Sequence, residues 1–402
     1  MTRALVSRYL LVALVWQIPA AARAQQPKVV NARAGSVETR LAPQTATIAY
    51  DRDLTDSARV LAGMLPERPE FLPEVVAQPA WQTWHRELDT DWGRAAGDRF
   101  TKMRAWAGTE LTAVSGSCGT LMYPFSGPDI LNAYLLFPTC DSYVMFGLER
   151  LGSIPELAKL PPDRLERLFA DTRQALGDLL TRNYFITSKM MSQFETQELH
   201  GLLPIFSIFL ARLDAKIVSV RQLDLAADGS LRERVPGKTD PLAAPALEIA
   251  FCVGGGKVQK LLYFRAQAED PALKKRPGVI PFLQRLAPFV TFLKSASYLM
   301  HDPQFQSVRS VLLQHSTAIL QDDSGIPYKF MAAPAWHVDF YGQYQKPIKD
   351  FNYGYQPDLA AAYAVPGAVK PLAFSFGYHW ATGSSTLMLA VRNPPVPPAT
   401  VR

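Results

Sequence analysis

Residues 118–152 constrain the fold of this chain more than any other part of its sequence. The stretch reads CGTLMYPFSGPDILNAYLLFPTCDSYVMFGLERLG. An apolar run at 120–125 is followed by a Ser-Gly-Pro-Asp turn, an apolar segment of helix length at 130–137, and a second apolar run at 143–147. Two runs of strand length with a breaker and a helix between them predict a compact β-α-β unit.

The first 24 residues contain the three parts of a secretory signal peptide. Arg3 and Arg8 precede an apolar stretch at 9–18, and Ala22-Arg23-Ala24 supplies the small-residue cleavage pattern. We expect cleavage after Ala24, a periplasmic or secreted protein, and no integral membrane span afterwards. The alternative, an uncleaved membrane anchor, is less favoured because the apolar run is shorter than the roughly 20 residues that a bilayer requires.

Removal of this peptide lowers the formal net charge from +6 to +3, because it takes three arginines and no acidic residue. A charge of this size on so long a chain does not predict binding to nucleic acid. The hydrophobic content of 48% is enough for a large core, and the length suggests one large domain or two.

Two of the three cysteines, Cys118 and Cys140, stand just before the apolar runs of the β-α-β unit. Adjacent parallel strands begin at the same end of a sheet, so these side chains are placed for a disulfide, which suits an oxidising compartment. The alternative is two small buried thiols that never pair. Cys252 lies in the apolar run at 247–253 and is predicted to be a buried core residue.

The fold class predicted is α/β, with a Rossmann-like mixed sheet core, a helical N-terminal region and antiparallel C-terminal hairpins. Helices are expected at 279–300 and 305–320, and hairpins at 247–264 and 372–391. Periodicity and composition divide the chain into a signal peptide (1–24), an extended or disordered lead-in (25–54), a helical region (55–115), an α/β domain (116–392) and a Pro-rich tail (393–402).

The strand, turn, helix and second strand of the opening stretch resemble the first half of a Rossmann-type domain. The similarity to the methyltransferase type extends to 372–391, because that fold ends in an antiparallel pair. The resemblance implies that Ser126, Gly127 and Asp129 present backbone N–H groups and a helix start to a ligand, while Glu149 binds a ribose hydroxyl. The turn is not glycine-rich, so a structural turn without ligand is the alternative. No cofactor is expected, because an exported protein does not normally meet S-adenosylmethionine or NAD.

The sequence Y-P-F-S-G-P-D at 123–129 also resembles a motif of uncharacterised bacterial secreted or hypothetical proteins. The similarity is firmest over residues 121–152 and weaker at 320–327. It implies a family and no mechanism.

A second candidate site is the turn Asp322-Asp323-Ser324-Gly325, at the end of the predicted helix that carries His315. Paired carboxylates hold a metal ion or share a proton, and a nearby histidine extends either role. The same string is typical of a tight turn, which is the favoured interpretation, and no metal site is predicted. Sequence motifs of common hydrolases, metalloproteases and nucleotide-binding loops are absent.

The sequence therefore predicts an exported envelope protein of unknown activity that binds a ligand or has a structural role. Its partner would be an unknown small-molecule or envelope ligand, and aromatic residues at 328–380 would either line a groove for that ligand or fill the core. One alternative is a hydrolase-type or metal-assisted enzyme that uses Asp322 and Asp323. Another is a degenerate methyltransferase-like fold that binds a nucleoside. The sequence leaves open whether the protein is an enzyme.

Overall fold

A computed structural model describes residues 48–184, 196–331, 333–380 and 385–394. The predicted signal peptide, most of the lead-in and the end of the Pro-rich tail lie outside those residues.

Eleven strands of the described chain form one mixed sheet, which confirms the α/β class. The strands are β1 (Thr120–Pro124), β2 (Ser142–Gly147), β3 (Ala215–Leu225), β4 (Leu231–Glu233), β5 (Ala244–Val253), β6 (Gln259–Arg265), β7 (Phe289–Leu293), β8 (Ser316–Gln321), β9 (Trp336–Gly342), β10 (Val369–Lys370) and β11 (Thr386–Arg392). Their order across the sheet is β10-β9-β11-β8-β7-β1-β2-β6-β5-β3-β4.

The centre of the sheet is parallel, antiparallel pairs flank it on both sides, and the edge strand β10 pairs parallel with β9. Strands β6, β2, β1, β7 and β8 run in one direction. Strand β5 pairs antiparallel with β6 on one side, and β11 lies antiparallel between β8 and β9 on the other. From β1 the chain goes first to β2 and later returns to β7 on the opposite side, so the strand order reverses between β1 and β7. Open α/β sheets bind ligands outside the carboxyl ends of their strands at such a point.

Helices cover both faces of the sheet. They are α1 (Arg52–Leu61), α2 (Pro73–Val76), α3 (Pro79–Ala95), α4 (Thr101–Glu110), α5 (Thr112–Ser115), α6 (Ile130–Leu136), α7 (Pro162–Arg182), α8 (Leu203–Arg212), α9 (Asp270–Leu273), α10 (Val279–Arg285), α11 (Gln306–His315) and α12 (Pro357–Tyr363). A π-helical turn, Ala96–Phe100, joins α3 to α4.

Successive strand residues point to opposite faces, so β1 contributes to two cores. Leu121 packs in the core that contains Trp81 of α3, and Met122 packs in the core that contains Phe282 of α10 and Leu312 of α11. Burial on both sides explains why the central strands are almost continuously apolar.

The predicted β-α-β unit is present, with β1 and β2 parallel and Thr120 opposite Ser142. Cys118 and Cys140 form a disulfide with their Cα atoms 4.6 Å apart, as predicted. Cys252 is a buried free cysteine.

Two predicted helices are wrong in their second halves. The segment 279–300 contains helix α10 and then strand β7, and the segment 305–320 contains helix α11 and then strand β8. Short buried strands are apolar throughout, and periodicity alone does not separate such a run from the end of a buried helix.

The predicted hairpin at 372–391 is also wrong, because only its second half is a strand. Residues 372–380 form no strand, and β11 pairs instead with β8 and β9. Phe374 and Phe376 of that segment are buried in the core on the α3 side of the sheet. The segment 372–380 therefore packs against the core through these rings and does not pair with β11.

Candidate functional site

Polar residues follow four neighbouring parallel strands at one edge of the sheet. Ser126 and Asp129 follow β1, Glu149 follows β2, Lys294 follows β7, and Asp322 follows β8. Because these strands are parallel, their carboxyl ends meet at the same edge, on both sides of the point where the strand order reverses.

Asp129 begins helix α6 and its carboxylate is engaged within the protein. Oδ1 accepts hydrogen bonds from the backbone N–H of Asn132 at 3.2 Å and from its Nδ2 at 2.8 Å. Oδ2 accepts from the Tyr123 hydroxyl at 2.9 Å and pairs with Lys294 Nζ at 2.5 Å. The carboxylate therefore caps the helix and neutralises a buried lysine, with no oxygen left without a partner.

Lys294 is buried at the end of β7, where it connects the sheet to helix α7. Its Nζ also donates to the backbone carbonyl of Asn183 at 2.5 Å. Burial lowers the pKa of Lys294, while the charge of Asp129 and the hydrogen bond to it oppose that shift. A second buried cation, Arg99, donates from Nη2 to the carbonyl of Leu179 at 3.0 Å, and burial lowers its pKa to about 10.

Ser126 and Gly127 form a turn that is bonded to itself. The Ser126 hydroxyl is buried and donates to the carbonyl of Gly127 at 2.9 Å. Phe125 and Gly127 have φ of 58° and 52°, so the chain leaves β1 through two left-handed residues. This positions the start of α6 above the strand.

Glu149 lies near the end of β2 and contacts β6. Its Oε2 accepts a hydrogen bond from the Tyr263 hydroxyl at 2.9 Å, and burial raises the pKa of the carboxyl. The carboxyl that the Rossmann resemblance assigns to a ribose hydroxyl is therefore buried and bonded to a tyrosine of the neighbouring strand.

Asp322 and Asp323 connect the turn after β8 to the loop after β7. Asp322 Oδ2 accepts from the backbone N–H of Ser295 at 2.9 Å, and its Oδ1 accepts from the N–H and hydroxyl of Ser324 at 3.0 and 2.5 Å. Asp323 Oδ2 accepts from the Tyr298 hydroxyl at 2.5 Å. Burial raises the pKa of both carboxyls, and the charge of Asp323 raises that of Asp322 further.

The loop after β7 has an unusual backbone. Ser295, Ser297 and Tyr298 have φ of 52°, 54° and 53°, in the left-handed region that favours glycine. Tyr378 holds this loop, since its hydroxyl donates to the carbonyl of Ser295 at 2.9 Å and contacts the Ser297 hydroxyl at 3.0 Å. Strained non-glycine residues that the surrounding structure holds in place cluster at functional sites.

A histidine and several aromatic rings surround Tyr298. The ring of His301 lies edge-on at 5.1 Å, and the rings of Phe351, Tyr378 and Tyr353 lie at 5.4, 6.3 and 6.4 Å. Burial lowers the pKa of His301 to about 4, so its imidazole is neutral at pH 7. Its Nε2 is buried and has no hydrogen-bond partner within the described residues. Tyr353 is 59% exposed and forms the outer side of this group.

His315 is not brought to the acidic turn. It ends helix α11 and precedes the first residue of β8, whereas Asp322 follows the last. A strand of six residues separates them by about 20 Å. His301 takes the place next to Asp323 instead, and sequence reasoning missed it because the helix predicted over 279–300 concealed the end of β7.

No family model, curated protein or solved structure matches this chain. The resemblances carried by the Y-P-F-S-G-P-D sequence and by the first strands therefore remain predictions. Within the described residues, no group of three or more His, Cys, Asp or Glu side chains is arranged to hold a metal ion. No helix in that part of the chain has the length and apolar character needed to cross a membrane.

A groove of about 700 Å³ lies between α3 and α7, away from the strand ends. Its lining includes Trp84 and Phe169, and an ion pair of 2.6 Å joins Glu87 to Arg173 at its side. The residues that line the groove come from α3 and α7, and they include none of the polar residues at the strand ends. The groove and the strand edge are therefore separate features.

Proposed function

We propose that this protein is an exported binding protein of the cell envelope, whose ligand lies at the carboxyl edge of β7 and β8 against Tyr298 and Asp323. The observation that carries the proposal is the strained loop of Ser295, Ser297 and Tyr298. Backbone strain of about 1–3 kcal/mol per residue persists where other contacts impose it, and it is a common property of ligand sites.

The chemistry around that loop suits a small ligand with a ring. Aromatic rings give a large contact area with few rotatable bonds, and the raised pKa values of the buried carboxyls of Asp322 and Asp323 support a site at this edge. Export is supported by the signal-peptide pattern at residues 1–24 and by the disulfide, since disulfides persist in oxidising compartments.

The experiment is a thermal-shift and calorimetric screen of the purified mature protein with glucose, adenosine and choline as probes of three ligand classes. We expect one class to raise the melting temperature, because a ligand that binds only the folded state stabilises it. Tyr353→Ala should weaken that binding at least tenfold. The matched control is Val258→Ala, an exposed apolar residue just before β6, at the opposite end of the strands. Equal binding by both variants would contradict this placement.

A hydrolase-type or metal-assisted enzyme is the second candidate. It is favoured by one observation: the neutral His301 imidazole and the Asp323 carboxyl, whose pKa is raised by burial, both contact Tyr298, and such groups serve as base and acid in general acid–base catalysis. Hydrolysis of chromogenic esters and glycosides that is lost in both Asp323→Asn and His301→Gln would support it. Equal hydrolysis by wild type and both variants would remove it.

The nucleoside-binding alternative is supported by the parallel β-α-β unit of β1, α6 and β2, although the hairpin expected at 372–391 is absent and β11 pairs with β8 and β9 instead. It is weakened by the contact of Glu149 with Tyr263. The adenosine probe tests it, with Glu149→Gln as the variant that should lose the response.

A further inference from the structure

A buried polar centre lies between the helical layer and the ends of β1 and β7. It consists of Arg99 from the π-helical turn, Asp129 and Asn132 at the start of α6, Asn183 at the end of α7, and Lys294 after β7. Asp129 and Lys294 form its ion pair, and Asn132 and Asn183 each bond one member of that pair. The charge of Asp129 also acts on Arg99.

Three side-chain atoms of this polar centre are buried without a hydrogen-bond partner within the described residues. They are Arg99 Nε, Asn132 Oδ1 and Asn183 Oδ1. Arg99 is 4% exposed, and the two asparagines are not exposed at all. Buried polar atoms are nearly always bonded, and an unpaired one costs about 1–3 kcal/mol. Three such unpaired atoms around one ion pair indicate that a bound molecule completes their hydrogen bonding.

The roles of the three atoms are fixed by their neighbours. Asn132 Nδ2 donates to Asp129 Oδ1 at 2.8 Å, and Asn183 Nδ2 donates to the carbonyl of Ser375 at 3.0 Å. Rotating either amide would place its oxygen against another acceptor, so both Oδ1 atoms remain acceptors. Arg99 Nε carries a hydrogen and is a donor.

Two acceptors and one donor select the chemical class of the missing molecule. A water molecule satisfies all three, since its two O–H groups donate to the amide oxygens and its oxygen accepts from Arg99 Nε–H, and a single hydroxyl group satisfies Arg99 and one amide oxygen. A carboxylate offers acceptors only and leaves both amide oxygens unpaired. An ammonium ion has no acceptor for Arg99 and is repelled by Arg99 and Lys294.

We propose that this polar centre binds a hydroxyl-bearing molecule, either one ordered water or a hydroxyl group of a small polyol. Buried waters typically make about three hydrogen bonds to polar groups that are otherwise unpaired. The position beside the reversal of strand order is also where open α/β sheets bind ligands. The inference goes beyond the proposed function, because it uses none of the residues assigned to that ligand.

Crystal structures and thermal shifts of the wild type, Arg99→Lys and Asn183→Gly test the proposal. Arg99→Lys keeps the cation and removes Nε–H. Asn183→Gly removes the amide and keeps the backbone carbonyl that Lys294 uses, and glycine tolerates the φ of 70° at this position. Arg86→Lys, at an exposed residue of α3, is the matched control. The two variants are independent, so one remains informative if the other does not fold.

In the wild type and the control we expect an oxygen atom within hydrogen-bond distance of at least two of the three unpaired atoms. It should be displaced or lost in both variants. If millimolar glucose or glycerol raises the melting temperature of the wild type and not that of Asn183→Gly, the hydroxyl comes from a polyol. If neither does, the oxygen is solvent water.

Two outcomes would overturn the proposal. One is a crystal structure that shows no electron density for a bound molecule in the polar centre and in which the three atoms bond to other protein groups. The other is occupation by acetate, with a melting temperature that rises with acetate and not with either polyol. Neither outcome bears on the proposed ligand at Tyr298, which Tyr353→Ala tests separately.

Discussion

Asp322 and Asp323 are the residues through which the stability of this protein should depend most on pH. Burial raises the pKa of both carboxyls in the folded protein. A carboxyl with a folded-state pKa above its unfolded value of about 4 adds stability below that value, and this stability is lost as pH rises through the folded-state pKa. We therefore expect the pair to lower the melting temperature progressively as the pH is raised from 4 to 8.

Asp323→Asn removes one of the two titrating carboxyls and should flatten this dependence. Asp163→Asn, at an exposed residue of α7, is the control and should leave the dependence as it is. Calorimetry across the pH range measures both variants. Parallel curves for wild type and Asp323→Asn would contradict the assignment.

Lys294 should be among the residues least tolerant of substitution. In Lys294→Met the carboxylate of Asp129 stays buried without its cation, so we expect a loss of about 3–5 kcal/mol in the free energy of unfolding. Lys257→Met breaks an exposed pair with Asp141 and should cost no more than about 1 kcal/mol. Denaturant titration compares the two variants. Similar losses in the free energy of unfolding would show that the buried pair contributes no more to stability than the exposed one.

At the scale of elements, the disulfide joins the starts of β1 and β2. The two cysteines are 22 residues apart, and closing a loop of this size contributes about 3 kcal/mol. We expect Cys118→Ala combined with Cys140→Ala to lose that amount in guanidinium titrations. Reduction of the wild type should reproduce the loss, while the double variant should not respond to reductant. A reductant-insensitive wild type would contradict the prediction.

Two glycines in different elements should respond to alanine with opposite signs. A Cβ atom at Gly354 would lie 2.3 Å from Cδ1 of Tyr298, so Gly354→Ala should displace that ring and cost about 1–3 kcal/mol. A Cβ at Gly93 in α3 meets nothing within 4 Å, and Gly93→Ala should stabilise the helix by about 0.5–1 kcal/mol. An unchanged or raised melting temperature in Gly354→Ala would refute the contact with Tyr298, and a lowered one in Gly93→Ala would refute the open space at that position.

Local pattern was sufficient for the β-α-β unit and its disulfide, because two short runs and one turn determine both. It was insufficient for β7 and β8, whose apolar residues continue the apolar faces of α10 and α11 in sequence. Without those two strands, the loop that carries Lys294 and Tyr298 could not be recognised as a strand end. His301 was missed for the same reason.

At the scale of the whole molecule, the side chains at the edge obtain their partners from distant parts of the chain. Tyr263 contacts Glu149 across 114 residues, and Ser375 accepts from Asn183 across 192. Strand order brings these groups together, and no local pattern specifies it. The sequence could therefore place Ser126, Asp129 and Glu149 after their strands, whereas the other residues of the carboxyl edge, and the burial and bonding of them all, depend on the complete sheet.

The same strand order predicts which chain breaks the molecule tolerates. Residues 235–242 are exposed and join β4 to β5, while β3 pairs with β5, and β2 with β6, across that junction. A protease recognition sequence inserted between Gly237 and Lys238 should be cut in the folded protein, and the two fragments should elute together in gel filtration. The same insertion between Ser297 and Tyr298 should abolish the cooperative transition, because that loop is bonded to Asp322 and Tyr378. Separation of the fragments after the first cut would contradict a single sheet that extends across the junction.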